Sequence, residues 1–134
     1  MVFDYKKNER VLCKTNCRCA MCGTENNLIH AYFIPSWTRV PKEIDNIIPL
    51  CFNCNIKRGL NFIEIGKLKY LTEISLQETM RYYKKLDSYL YKYVALYGKQ
   101  RTRGLINVDN NLLILNSYLL WCREHKSELD WENK

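Results

Sequence analysis

Apolar and polar positions in the second half of the chain alternate with the period of a helix. Leu76, Met80, Tyr83, Leu90, Val94 and Tyr97 fall three, four or seven residues apart, a spacing that gathers them on one face of a helix with about 3.6 residues per turn. Ser75-Leu76-Gln77-Glu78 has the form of a capping box at the start of this run, and Gly98 is the expected stop. A second helix is expected from an Asp109 cap, with Leu112, Leu115, Leu119 and Cys122 along one stripe, followed by a polar end from Ser127 to Lys134. The two would pair as a helical hairpin. The first half reads differently: the short apolar run from Leu28 to Ile34, ended by Pro35, predicts a strand set among cysteines and turn residues. The pattern changes near Gly59 to Gly66 without a flexible linker, dividing the chain into residues 1–66 and 67–134.

A chain of 134 residues with 47% hydrophobic residues can bury one core, or a metal-stapled lobe beside a helical one. The net charge of +7 favours polyanionic partners, because each neutralised phosphate releases counterions. Residues 1–70 carry +5 of that excess and residues 71–134 carry +2, so it sits mainly with the cysteines. The alternative is a basic surface that merely keeps the protein soluble. The start, Met1-Val2-Phe3-Asp4-Tyr5-Lys6-Lys7, lacks the apolar core of a signal peptide, and no apolar run approaches the roughly 20 residues that span a bilayer. A cytoplasmic location without a membrane partner is expected.

In a reducing compartment seven cysteines point to metal rather than disulfides. Cys19-Ala20-Met21-Cys22-Gly23 and Cys51-Phe52-Asn53-Cys54 each put two thiols on one tight turn, with 28 residues between the pairs. Two such turns can supply four sulfurs tetrahedrally at about 2.3 Å, which closes the coordination shell of a structural Zn2+. Cys13 and Cys17 are spare candidates for the same ion, and Cys122 reads as a small buried hydrophobe.

Cys-x-x-Cys-Gly, a short strand ending in proline, and Asn46-Ile47-Ile48-Pro49-Leu50-Cys51-Phe52-Asn53-Cys54-Asn55-Ile56-Lys57-Arg58-Gly59 together resemble the HNH endonucleases over about residues 8–62. The resemblance implies an α+β fold, a zinc-stapled ββα-metal unit here followed by the helical hairpin. In that family a strand histidine deprotonates water, a neighbouring Asp or His and a helix His or Asn hold Mg2+ or Mn2+ against the scissile phosphate, and a loop Asn orients the histidine. Carried onto this chain, Asn46 takes the orienting role and Asn55 the helix-ligand role. Ala31 falls where the metal-binding Asp or His belongs, and Tyr32 where the base belongs. His30, two residues earlier and therefore on the same strand face, would stand in for the base after a register change; otherwise it is a histidine satisfied by a backbone carbonyl. Tyr32 is a poor base, since it must ionise from a pKa near 10. Asp45 or Glu43 would have to supply the missing oxygen ligand. His125 reads as a solvated residue at a helix end.

Three basic clusters are candidate phosphate contacts: Lys57 and Arg58 after the second cysteine pair, Arg39 and Lys42 between the pairs, and Lys99, Arg101 and Arg103 in the expected turn between the helices. Tyr82, Tyr83, Tyr89, Tyr91, Tyr93 and Tyr97 make the long helix aromatic. Base stacking, a protein interface or a homodimer seam would use them, but most are expected to pack in the core. The favoured function is a nucleic-acid-binding protein, DNA before RNA, on an HNH-like zinc scaffold whose cutting centre has degenerated. The alternatives are an active divalent-metal endonuclease using His30, and a phage-type inhibitor docking its tyrosine-rich helices on a protein target.

Overall fold

The computed structural model describes residues 5–41 and 43–129, a mixed architecture of helices and one small sheet. Helix α1 (Tyr5–Leu12) runs through a 3-10 turn into a cysteine-bearing loop. Strands β1 (Leu28–Tyr32) and β2 (Ile47–Cys51) pair antiparallel, and α2 (Phe52–Arg58) follows β2 directly. Helices α3 (Glu73–Arg101), α4 (Val108–Glu124) and the short α5 (Lys126–Leu129) complete the described residues. No helix among them is long and apolar enough to cross a membrane.

A two-stranded sheet is marginal in water unless something covers it. Ala31 pairs with Ile48 and Tyr32 with Ile47, and the Phe33 N–H donates to the Asn46 carbonyl at 2.7 Å. In an antiparallel ladder this alternation turns the backbone groups of Tyr32, Ile47 and Pro49 outward. Each of those three carbonyls finds a donor: Lys14 Nζ at 2.7 Å for Ile47, the Ala20 N–H at 2.8 Å for Pro49, and Arg58 Nη1 for Tyr32. Pro49 occupies a position whose N–H would point away from β1, so the ladder loses no bond to it. Lys14 is a buried lysine with a structural task, and burial draws its pKa down to about 8 against the opposing pull of Asp45 and Glu78.

One core runs through both halves of the chain. Phe33, Ile34, Ile48 and Leu50 meet Met80, Tyr83 and Leu90 of α3 and Leu115 and Tyr118 of α4. The Tyr118 ring lies 5.1 Å from Phe33 and 5.1 Å from Tyr83, and its hydroxyl donates to the Ile63 carbonyl. Buried Asn111 joins the halves again, accepting from the Phe62 N–H and donating to Asn61 Oδ1, both at 3.0 Å.

The helix boundaries differ from those expected. Thr72, not Ser75, caps α3: its Oγ1 accepts the Ser75 N–H at 3.2 Å and donates to Ser75 Oγ at 2.8 Å. Asn107, not Asp109, caps α4, accepting the Asn110 N–H at 3.0 Å, and Asp109 becomes a first-turn acid that suits the helix dipole. Gly98 does not end α3. It is buried inside the helix because Val108 and Trp37 approach to 3.4 and 3.5 Å of where a Cβ would sit. Lys99 and Arg101 therefore belong to the last turn of α3 rather than to a connecting loop. Of the tyrosines, Tyr82 and Tyr83 are buried and Tyr93 is partly so, whereas Tyr89, Tyr91 and Tyr97 are exposed. Cys122 is fully buried, as a small hydrophobe would be. His125 is half-buried rather than solvated: its ring stacks on Trp121 at 3.8 Å. Residues 130–134 of the expected polar end lie outside the described residues.

Two stability measurements follow from these contacts. The folded state binds fewer protons than the unfolded chain between about pH 8 and the ordinary lysine value of 10.5, so Lys14 makes stability rise with pH across that window. Lys14→Met should remove this rise, worth on the order of 2–3 kcal/mol, from urea-unfolding free energies measured across it. Asn111→Ala should cost about 2 kcal/mol in the same assay, since the Phe62 N–H is left buried without an acceptor.

Candidate metal centre and adjoining cleft

The first cysteine pair sits on a turn closed by the Gly23 N–H on the Cys19 carbonyl at 2.9 Å and the Cys19 N–H on the Thr24 carbonyl at 2.8 Å. Gly23 is required there, because its φ of +79° is left-handed and the Tyr70 ring lies 2.5 Å from where a Cβ would be. The second pair uses a helix start. Cys51 ends β2 and caps α2, its sulfur accepting the Cys54 N–H at 3.3 Å. The Ala20 bond to Pro49 ties the first turn to β2 and so aligns the two pairs.

The four Sγ atoms of Cys19, Cys22, Cys51 and Cys54 lie within 4.8 Å of one another, and those of Cys22 and Cys51 are 3.7 Å apart. A tetrahedral ion with bonds of about 2.3 Å separates its sulfurs by about 3.8 Å, so the cluster has the dimensions of a tetrathiolate site that can hold a metal such as zinc. Cys19, Cys51 and Cys54 are buried while Cys22 reaches the surface. Burial opposes the Cys19 thiolate, but hydrogen bonds from the backbone at Cys22, Cys51 and Met21 outweigh it and hold the thiol at about 7. Burial and the crowding thiols push Cys54 far up. Four sulfurs this close repel one another as thiolates, and a divalent cation relieves that repulsion. Cys13 and Cys17 are exposed and stand outside the cluster.

The face of β1 carrying His30 and Tyr32 and the side of α2 carrying Asn55 border a shallow cleft of about 200 Å³, closed by Trp37, Arg58 and Leu60. His30 is exposed, and its Nε2 lies 2.9 Å from Asn8 Oδ1. Burial, with Lys7 adding to it, lowers its pKa, so the ring is neutral at pH 7. Ala31 points into the core on the opposite face. Glu43 and Asp45 do not line the cleft; their charges bear on Tyr82.

Asn46 is placed elsewhere than expected. It is buried, and both its amide atoms engage Ile34, Oδ1 accepting the N–H at 2.6 Å and Nδ2 donating to the carbonyl at 3.0 Å. It staples the loop after β1 instead of orienting His30. Arg58 is likewise withdrawn from phosphate contact, with Nη1 on the Tyr32 carbonyl, Nη2 on that of Phe33 at 3.1 Å and Nε on that of Asn61 at 3.2 Å. Burial lowers its pKa to about 10. No protein family, curated protein or solved structure matches this chain.

The other candidate cations that are described are exposed. Lys57 is exposed and lines a second cleft with Lys67 and Asn110. Arg39, Lys99, Arg101 and Arg103 are exposed, and Lys42 lies outside the described residues. Trp37 and Lys14 were not legible as site residues: a tryptophan after Pro35 and a lysine after Cys13 carry no motif, and only tertiary packing assigns them tasks.

The cluster makes a count that can be checked with a thiol reagent. Protein purified with its ion should show two fast-reacting thiols, Cys13 and Cys17, and four more when a strong chelator is added. Chelation should also reduce the helix and strand signal in circular dichroism, because the binding free energy of such an ion is folding free energy.

Proposed function

We propose that the protein grips nucleic acid, DNA before RNA, on an HNH-like zinc scaffold whose cutting centre is degenerate. The observation that carries this reading is the lining of the cleft. β1, β2 and α2 follow one another in the ββα order beside the four-cysteine cluster, and His30, Tyr32 and Asn55 share one cleft, yet among the described residues no carboxylate lines it. A hard divalent cation prefers several oxygen ligands, charged ones above all, and a neutral Asn55 with Tyr32 beside it is a weak donor set. In this reading the cluster holds zinc as a structural ion. The net charge of +7 supplies the attraction, and exposed Arg39, Lys57, Lys99, Arg101 and Arg103 present cationic side chains that phosphates could meet.

One observation favours an active nuclease as the second reading. His30 is neutral at pH 7 and shares its cleft with Asn55, the arrangement a general base and a metal ligand would need.

A plasmid-nicking assay with added magnesium or manganese separates the two, with binding followed by gel retardation. The expected result is salt-sensitive retardation without nicking, with Arg39→Ala and Lys57→Ala each reducing the salt slope by about 1. Nicking by the wild type that both His30→Ala and Asn55→Ala abolish would instead establish the second reading.

A further inference from the structure

The exposed side of α3 carries a row at four-residue spacing that the reading above leaves unused: Lys85, Tyr89, Tyr93, Tyr97 and Arg101. Successive members of such a row stand about 6 Å apart along the helix. The rings touch in sequence, with centroids 5.5 Å apart for Tyr89 and Tyr93 and 5.3 Å apart for Tyr93 and Tyr97. Tyr89 and Tyr97 are 46% and 49% exposed, far more than core packing requires.

Two of the three rings are held by their hydroxyls. The Tyr89 hydroxyl donates to the Thr38 carbonyl at 3.2 Å and the Tyr93 hydroxyl to the Trp37 carbonyl at 3.5 Å. Arg101 Nε donates to the Tyr93 hydroxyl at 2.8 Å, and the charge of Arg39 also bears on the same tyrosine. Lys85 and Arg101 close the two ends of the row, so its immediate charges are cationic. The row also meets the cleft. Trp37, whose Nε1 donates to the Leu60 carbonyl at 2.8 Å, lies 6.1 Å from Tyr93 on one side and lines the His30–Asn55 cleft on the other.

We propose that the Tyr89–Tyr93–Tyr97 row is a stacking platform for unpaired bases, so that the protein prefers single-stranded to duplex nucleic acid. The proposal rests on the nucleic-acid-binding reading and adds the strand form it takes. Bases stack on aromatic faces irrespective of sequence, while the flanking cations hold the backbone. A duplex keeps its bases inside and offers the row only phosphates. Tyr89 and Tyr93, already fixed by their hydroxyls, lose little freedom when a base arrives, which favours affinity.

The test is fluorescence anisotropy with a labelled single strand of about 16 deoxythymidines and a duplex of the same length. The wild type should bind the single strand at least 10-fold tighter. Tyr97→Ala and Tyr97→Leu should each weaken single-strand binding about 10-fold, since one stacked base contributes about 1–3 kcal/mol. Tyr97→Phe should keep it, and duplex binding should change less than about twofold in all three. The leucine variant keeps bulk without the aromatic face, and unchanged thermal midpoints certify the fold. Single-strand affinity unchanged in Tyr97→Ala and Tyr97→Leu, or equal wild-type affinity for both forms, overturns the proposal. Duplex binding with no single-strand binding overturns it while sparing the reading beneath, whereas binding of neither form removes both.

Discussion

Four sulfur atoms cannot sit within 4.8 Å of one another as anions without a cation among them. Around that constraint the first half of the chain is arranged. The turn carrying Cys19 and Cys22 reaches β2 through the Ala20 bond to Pro49, and Cys51 both ends the strand and starts the helix through its bond to Cys54. Because the thiols lie where strand becomes helix, the junction that brings Asn55 to the cleft lined by His30 is tied to the cluster. A sheet of two strands would not hold that geometry alone.

The second half contributes a wall instead of a separate lobe. Tyr118 touches Phe33 on one side and Tyr83 on the other, and buried Asn111 holds the segment after α2. The hairpin of α3 and α4 therefore sets the depth at which β1 stands. Trp37 joins the two regions, since it packs on Tyr93 and Phe62 while bordering the cleft.

What the sequence could disclose followed how local each signal was. The cysteine pairs were legible because spacing within a turn decides which sulfurs meet, and the helix pair because a long periodic run has few other uses. The caps were ambiguous: Thr72, Ser75, Asn107 and Asp109 are all competent N-cap types, and only the tertiary position of the first turn selects among them. Arg58 and Lys57 are adjacent cations of similar type, yet one is spent on three carbonyls and the other is exposed. Asn46 matched its expected motif position and performs a different task, because its two amide atoms satisfy both backbone groups of Ile34. Gly98 read as a stop because a glycine that ends a helix and one that admits a neighbour look alike until Trp37 is placed.

The outward carbonyls of Ile47, Pro49 and Tyr32 are occupied by Lys14, Ala20 and Arg58, which blunts the β2 edge as a template for another strand. One of those three guards, Ala20, lies in the turn that carries Cys19 and Cys22. Were that turn to move away, the Pro49 carbonyl would lose its donor within Ile47-Ile48-Pro49-Leu50, an apolar stretch with no charge of its own. An ion held by the four cysteines would thus guard one edge of the sheet at a distance, through a single backbone bond in the turn that carries two of them.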